Sequence, residues 1–572
     1  MYRPNDKHYQ KPLLSSLDDL PDKQRQRLKA SWASTFYEEV FCRIDESLFV
    51  VLYSEKASRP NTPINVLVSA EIMKAGFGWS DAELEEQMAF NLQVRYAVGY
   101  RDLAAGHFEL RTLYNFRQKV AQYMQETGEN LLERVFEQVT DEQIEALALK
   151  TGKLRMDSLQ IGSNIRQMSR LQLLVEVVQR IWCMLSEVDQ FRYKTDFAAY
   201  LKGTSGQYVY HLKSGESGSH LESIGQLMQR LVQELEPLYG EQDAYALLAR
   251  VYSEHFIIEE QQLRPKINEE LSAQSLQSPD DWEATYREKK GRGYQGYVTN
   301  VTETCDPQNE VQLIVKVQTE ANSSDDAQML VDAVPDLVAR TDVEELYTDG
   351  GYNSPAVDQA LNAEEIEHYQ SAIRGRKPDE SRLSLADFEF EVNSEGVPQT
   401  LKCPQNQQVE VRAGRKAERF IADFDADVCE GCPLLEQCPG EPLKRKREHV
   451  IRFDQQQVNV VRRRQNQRKA QASGLNLRSA VEATVRSLKH PFGNGKLPVR
   501  GQPRVSMMMV ASAAMTNARR IWRYQVLKKA GENSQMAVEN GFKRVANFVV
   551  CIFLRPFFRF FAGQADHSPA VA

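Results

Sequence analysis

Long hydrophobic runs are absent from this sequence. The opening Met-Tyr-Arg-Pro-Asn-Asp-Lys-His carries no apolar signal-peptide core. The longest apolar run near the end, Phe548 to Leu554, is far too short to cross a bilayer. Both absences argue against secretion and membrane insertion, and the expectation is a cytosolic protein. Cysteine is sparse: eight residues in 572 do not make a disulfide framework, and a reducing compartment favours metal ligation or burial for them. There is no overall excess of positive charge. A formal net charge of −8 and an isoelectric point near 5.8 argue, taken whole, against a nucleic-acid-binding chain. What is present, 42% apolar and 26% charged residues, is ordinary for a soluble globular protein with length for two to four domains.

The distribution of charge reverses what its total implies. Residues 441–530 hold 21 Lys+Arg against 4 Asp+Glu, a net +17, which leaves −25 for the remainder. A basic segment inside an acidic protein is an electrostatic track for a phosphate backbone, with a solvated basic helix pair as the plain alternative.

Within that basic segment, Leu477 to Lys489 has apolar residues at Leu477, Ala480, Val481, Val485 and Leu488 and contains no Gly or Pro. The spacing predicts a helix on which Arg478, Glu482 and Lys489 share a face. Two other stretches carry a carboxylate in an apolar setting. Leu154-Arg-Met-Asp157-Ser-Leu-Gln-Ile161 reads as a strand with Asp157 in its middle, and Glu345-Leu-Tyr-Thr-Asp349-Gly-Gly-Tyr352 as a strand ending in Asp349 before two glycines. A carboxylate at the carboxyl end of a strand sits at the sheet rim where ligands bind, although Asp-Gly is also a common turn.

Two strand carboxylates followed by Arg478-x3-Glu482-x6-Lys489 resemble the DDE transposases of bacterial insertion sequences, the group marked by a Tyr-x2-Arg-x3-Glu-x6-Lys signature. Gly351 and Tyr352 behind Asp349 belong to the likeness, and Leu475 stands where the signature has its Tyr. The resemblance implies an α+β protein with an RNase H-like catalytic core, interrupted by a helical insertion and a small β/cysteine insertion and preceded by an all-helical DNA-binding domain. The expected boundaries are 1–140 for the DNA-binding domain, 150–166 with 289–380 for the first part of the core and 167–288 for the helical insertion. The cysteine insertion follows at 381–455, basic helices closing the core at 456–531 and a tail at 532–572. The helical character of residues 166–287 and the alternating strands at Tyr294–Thr302 and Glu310–Thr319 are read from the sequence itself.

In the amino-terminal region Ser80-Asp-Ala-Glu83 has the form of a capping box opening a helix through Phe90. A second helix begins near Glu109 and presents Thr112, Asn115, Arg117 and Lys119, hydroxyl, amide and cationic groups of the kind a recognition helix uses. The resemblance makes this region the reader of terminal inverted repeats; a purely structural helical domain is the alternative.

Four of the eight cysteines cluster at Cys403, Cys429, Cys432 and Cys438. The Cys429-x2-Cys432 pair suits two thiolates on one tetrahedral ion, which Cys403 and Cys438 complete; structural zinc is the expectation and four buried thiols the alternative. The stretch between Trp282 and Trp522 lacks the tryptophan that some relatives use to hold a flipped base.

Three converging carboxylates need cations between them, and hard oxygen donors select Mg²⁺ or Mn²⁺. Asp157, Asp349 and Glu482 are therefore expected to hold two such ions for phosphoryl transfer. Arg478, Lys489 and Arg462, Arg463 and Arg464 are expected to contact double-stranded DNA, both the element ends and the target. The expected working form is a homodimer associated with the nucleoid. A catalytically inactive DNA-binding derivative, or an RNase H-like nuclease without strand transfer, are the competing readings.

Overall fold

The computed structural model describes residues 2–9, 15–54, 56, 60–102, 106, 108–213, 215–289, 291–373, 381–393, 396–443, 447–472, 474 and 477–539. Leu475, the aromatic cluster Phe557–Phe561 and most of the 532–572 tail lie outside the described residues.

The chain opens with α1 (Asp22–Lys29), α2 (Trp32–Glu39), α3 (Ile64–Phe77), α4 (Asp81–Phe90), α5 (Leu92–Ala97), α6 (Leu110–Thr127) and α7 (Leu131–Ala146). The Ser80–Glu83 capping box forms: the Ser80 hydroxyl accepts from Glu83 N at 3.2 Å and the Glu83 carboxylate from Ser80 N at 2.7 Å. Then comes β1 (Lys153–Ile161), followed by five helices, α8 (Arg170–Met184), α9 (Glu187–Phe197), α10 (Ser205–Tyr210), α11 (Ser217–Tyr239) and α12 (Asp243–His255). These pack around their own centre of Leu174, Val178, Met228, Leu231 and Leu248. A hairpin of β2 (Phe256–Glu259) and β3 (Gln262–Pro265) sits in a stretch the sequence pattern marks as helical. Its turn residues Glu260 and Gln261 both adopt positive φ, a backbone shape that apolar periodicity does not report.

The chain returns as β4 (Thr285–Lys289), β5 (Arg292–Thr304), β6 (Ile314–Ala321), α13 (Asp326–Arg340), β7 (Glu345–Thr348), α14 (Pro355–Ala363) and β8 (Glu367–Gln370). The main sheet runs β4-β5-β1-β7-β8, with β6 also paired to β5. The β6–β5 and β5–β1 pairs are antiparallel, whereas the β1–β7 and β7–β8 pairs are parallel. Each parallel step is bridged by a crossover containing helix, as parallel pairing requires. Past the end of β1, β5 goes over to pairing with β4 at Gly296 (φ 138°), where an added Cβ would lie 2.3 Å from the Ile161 carbonyl oxygen.

A second, antiparallel sheet follows: β9 (Glu389–Val392), β10 (Pro398–Lys402), β11 (Gln408–Ala413), β12 (Arg419–Asp425), then α15 (Ala426–Glu430), β13 (Glu441–Pro442) and β14 (Glu448–Asp454). Phe388, Leu401, Phe424 and Phe453 form its core. Then α16 (Gln455–Ala472) lies along β8, α17 (Val481–Lys489) packs on β1, and α18 (Gln502–Glu539) ends the described chain. The architecture is α+β.

Helix α18 is the centre of the largest core. Its Val505–Ala518 stretch is buried on every side, so it reads as a core helix rather than an amphipathic one. Phe36, Leu67 and Met73 from the amino-terminal helices, Leu159, Tyr297 and Val301 from the sheet, and Met509 and Met515 from α18 form one cluster. The amino-terminal helices thus share their core with the main sheet. Asn517 seals the free side of β6 by accepting from Ile314 N at 2.9 Å and donating to Ile314 O at 2.8 Å.

The α3–α18 contact depends on the missing side chain of Gly76, where a Cβ would meet Met515 Cγ at 2.2 Å. Gly76→Val is expected to destabilise the fold by about 1–3 kcal/mol through overpacking. Combining it with Met515→Ala should recover part of that loss in a thermal-denaturation double-mutant cycle; strictly additive losses would show that the two positions do not meet.

Candidate active site

The register of two strands brings the first two carboxylates together. Strand β1 pairs with β7 as Lys153↔Glu345, Leu154↔Leu346 and Arg155↔Tyr347, a constant offset of 192 residues. The same offset separates Asp157 from Asp349, two residues beyond the last pair, so both carboxylates leave neighbouring strands on one side. Asp349 follows the last residue of β7, and its Oδ1 accepts from Gly351 N at 2.6 Å, which turns the chain through the glycine pair. Burial raises the Asp157 carboxyl above its ordinary range; the Arg478 guanidinium opposes that shift and the Asp349 charge adds to it. Asp157 therefore stands in the field of Asp349.

The third carboxylate arrives on α17. The sequence spacing puts the helix start at Leu477, but the regular helix begins at Val481. Residues 477–480 wind more tightly through three-residue bonds, Val481 N to Arg478 O at 3.0 Å and Ala483 N to Ala480 O at 3.1 Å. Arg478 and Glu482 still face each other: Arg478 Nη1 is 3.9 Å from Glu482 Oε1, while its Nη2 donates to Asp157 Oδ2 at 3.1 Å. One guanidinium therefore stands between two of the carboxylates. The Asp157 side chain is 12% exposed and that of Glu482 65%, so the glutamate looks outward. Lys489, at the last turn of α17, is half-buried, and its ammonium pKa is lowered by burial and by the like charge of Lys289 on the β4 end.

Tyr352 lies under the carboxylates rather than among them. It is fully buried; its hydroxyl donates to Asn300 Oδ1 at 2.7 Å, and its carbonyl accepts from Gln370 Nε2 at 3.0 Å. On the face of β1 that carries Asp157, opposite Tyr352, is a charged knot that sequence reasoning missed. Glu303, on β5 opposite Arg155, is 0% exposed. Its carboxylate meets Arg155 Nε, Arg520 Nη1 and the Thr484 hydroxyl, each at 2.7 Å. The visible signal was a lone Glu in the otherwise β-branched run Val301-Thr-Glu-Thr304, with Arg155 two residues before Asp157 on the same face of β1.

The expected DNA-contacting residues divide into two groups. Arg117 is drawn inward, paired with Glu71 at 2.6 Å and Asp81 at 2.8 Å, and Arg463 is buried against Asp358 at 2.7 Å. Both tie helices together, because a buried guanidinium needs its carboxylate more than solvent or a ligand does. Arg462 donates to Asn362, which holds α16 against α14. Thr112 and Asn115, in contrast, line an open cleft with Lys119, Asn61 and Thr62. Arg464 is half-buried on α16.

The four cysteines Cys403, Cys429, Cys432 and Cys438 line one cavity with Phe388, His449 and Ile451, and all four are unbridged. Two sulfurs receive backbone donors from two residues on, Leu434 N to Cys432 at 3.4 Å and Gly440 N to Cys438 at 3.5 Å. Burial, with the neighbouring Cys438, Cys403 and Cys432, pushes the Cys429 thiol up to about 11. Among the described residues no three His, Cys, Asp or Glu side chains are arranged as a ligand set for a metal ion. Arg478 stands between Asp157 and Glu482, and the four cysteines line one apolar cavity.

No helix among the described residues is long and apolar enough to cross a membrane. No curated protein and no solved structure matches the chain. Two family models do: residues 402–522 match a family described as Transposase DDE domain, and residues 24–119 match Transposase domain (DUF772). The first match spans β11 to β14 of the cysteine sheet, α16, α17 with Glu482 and the first part of α18, and the second the amino-terminal helices from α1 into α6. From opposite ends of the chain, the two matches support a transposase of an insertion element.

Proposed function

We propose that this protein is a DDE transposase that binds the terminal inverted repeats of its element, cleaves DNA there and joins the freed end to target DNA. The observation that carries this reading is the shared 192-residue offset, which sets Asp157 and Asp349 side by side, with Arg478 linking Asp157 to Glu482. The antiparallel β6-β5-β1 half and parallel β1-β7-β8 half of the main sheet, with α17 lying on β1, support an RNase H-like core. In this reading residues 1–140 bind DNA, and 150–166, 289–380 and 456–531 build the core, with 167–288 and 381–455 inserted.

The donors fit divalent metal. Asp157, Asp349 and Glu482 offer only hard carboxylate oxygens, and the Asp pair repel each other unless a cation stands between them. Two Mg²⁺ or Mn²⁺ ions held by these residues would supply the charge stabilisation for in-line phosphoryl transfer. The chain's own groups do the rest. Arg478 offsets part of the charge of Asp157 and Glu482 before DNA arrives, and with Lys489 it then holds the scissile-strand phosphates. The net +17 of residues 441–530 attracts and orients the duplex, and Thr112 and Asn115 read base edges from the amino-terminal cleft. Arg117 and Arg463 act structurally. A homodimer would bring two element ends together.

The test is cleavage and joining by purified protein on DNA carrying the flanking element ends, in Mg²⁺ or Mn²⁺. Metal-dependent nicking should fall by at least about 10³-fold in Asp157→Asn, Asp349→Asn and Glu482→Gln while end binding persists. Specific binding without cleavage in either metal would leave a DNA-binding derivative instead, and cleavage without joined products a nuclease.

We also propose that Cys403, Cys429, Cys432 and Cys438 hold a structural zinc ion; the shared cavity and the two N–H···S contacts support it. Purified protein should then contain about one zinc per chain by elemental analysis. Cys429→Ser should remove the metal and lower the melting temperature; metal-free wild-type protein of unchanged stability would count against the site.

A further inference from the structure

Glu482 has little that holds it directly. Its side chain is 65% exposed and its one close charged neighbour among the described residues, Arg478, is 3.9 Å away. The helix that carries it has nine residues, too few to hold its own geometry in isolation. What fixes that helix is the Glu303 carboxylate. Oε1 accepts from Arg155 Nε at 2.7 Å, and Arg155 Nη1 donates to Leu477 O at 2.8 Å, the residue before Arg478. Oε2 accepts from the Thr484 hydroxyl and Arg520 Nη1, both at 2.7 Å. Arg520 also donates to the Thr484 hydroxyl and to Gln312 O, at 3.0 Å for the latter. A single buried acid thus grips the turn before Arg478, the residue two beyond Glu482, the strand of Asp157 and the helix behind.

We infer that Glu303 is a positioning residue that, through Arg155 and Thr484, sets the spacing between Asp157 and Glu482; the inference rests on the proposed reading of these carboxylates as metal ligands. Arg155 and Asp157 are alternate residues on one face of β1, so a constraint on the first is carried to the second within one pleat. An ordinary ion pair kept for stability would not need a hydroxyl from the Glu482 helix, and buried ion pairs are often replaceable by apolar groups with no loss of stability. A ligand constellation, in contrast, tolerates displacements of only about half an ångström.

Thr484→Val removes the hydroxyl, keeps the shape and leaves Glu303 paired with both arginines. Thr484→Ser restores the hydroxyl. Glu303→Gln keeps the volume and is measured alongside, so that misfolding of one variant leaves the other to decide. Three readouts are taken on the full chain: Mn²⁺ binding by electron paramagnetic resonance without DNA, affinity for element-end DNA, and single-turnover cleavage. Thr484→Val and Glu303→Gln should each bind Mn²⁺ about tenfold more weakly and cleave about tenfold more slowly, with end affinity unchanged and Thr484→Ser close to wild type. Wild-type Mn²⁺ affinity and cleavage in a folded Thr484→Val or Glu303→Gln would overturn the inference while leaving the proposed function standing. A wild-type protein that neither binds Mn²⁺ nor cleaves would overturn the proposed function itself, and this inference with it.

Discussion

Parallel pairing between β1 and β7 is the constraint on which the candidate site depends. Parallel neighbours cannot be joined by a tight turn, so the chain must leave the sheet after β1 and return through a crossover before β7. That detour holds the five helices α8–α12, the strands β2 to β6 and α13, and it explains how carboxylates 192 residues apart become neighbours. Once three rungs of the ladder are fixed, the side of the sheet from which Asp157 and Asp349 emerge is fixed as well. A one-residue slip would turn one of them to the opposite face.

Neighbouring carboxylates create an electrostatic problem that the fold answers with cations at graded depth. Arg155 is deepest, and it and Arg520 pair with the buried Glu303. Arg478 is about as exposed as Arg520 but pairs with Asp157, Lys489 is half-buried and Lys289 is exposed. The inner arginines are committed to one carboxylate and cannot leave without stranding a buried charge. Arg478 is held less tightly, with one 3.1 Å contact and one of 3.9 Å, and in the proposed function it is the group that exchanges partners when phosphate arrives. Lys289 and Lys489 are like charges held near each other, an arrangement that a polyanion relieves.

The sequence could be read wherever local chemistry alone decides the outcome. Ser80–Glu83, Asp349-Gly-Gly and the strand of Asp157 are set by neighbours within a few residues. Strand β5 also matched its alternation closely, running from Arg292 to Thr304 around the expected Tyr294–Thr302. Arg117 and Arg463 were not legible, because a cation on a polar helix face looks the same whether it meets solvent, phosphate or a carboxylate from 46 or 105 residues away. The start of α17 shifted for a similar reason: Leu477 is held by Arg155 through its carbonyl, a tertiary bond that draws the first turn out of regular helix. Nor could spacing reveal that the amino-terminal helices share a core with the sheet, since this follows from α18, far along the chain from α3, lying between them.

That shared core has a mechanical consequence. Helices α8–α12 and the cysteine sheet each close around their own apolar cluster, so their internal packing is independent of the carboxylates. The amino-terminal helices are different. α3 meets α18 at Gly76 and Met515, α18 carries Arg520, and Arg520 grips Glu303 and Thr484 beside the candidate site. Close-packed interiors transmit displacement rather than absorb it. A shift of the amino-terminal helices would therefore reach α17 through one rigid helix, whereas a shift of the inserted helices must first pass through the strands that connect them to the sheet. In the proposed function the part of the chain that meets the element end is thus also the part packed most directly against the helix that braces α17 and its Glu482.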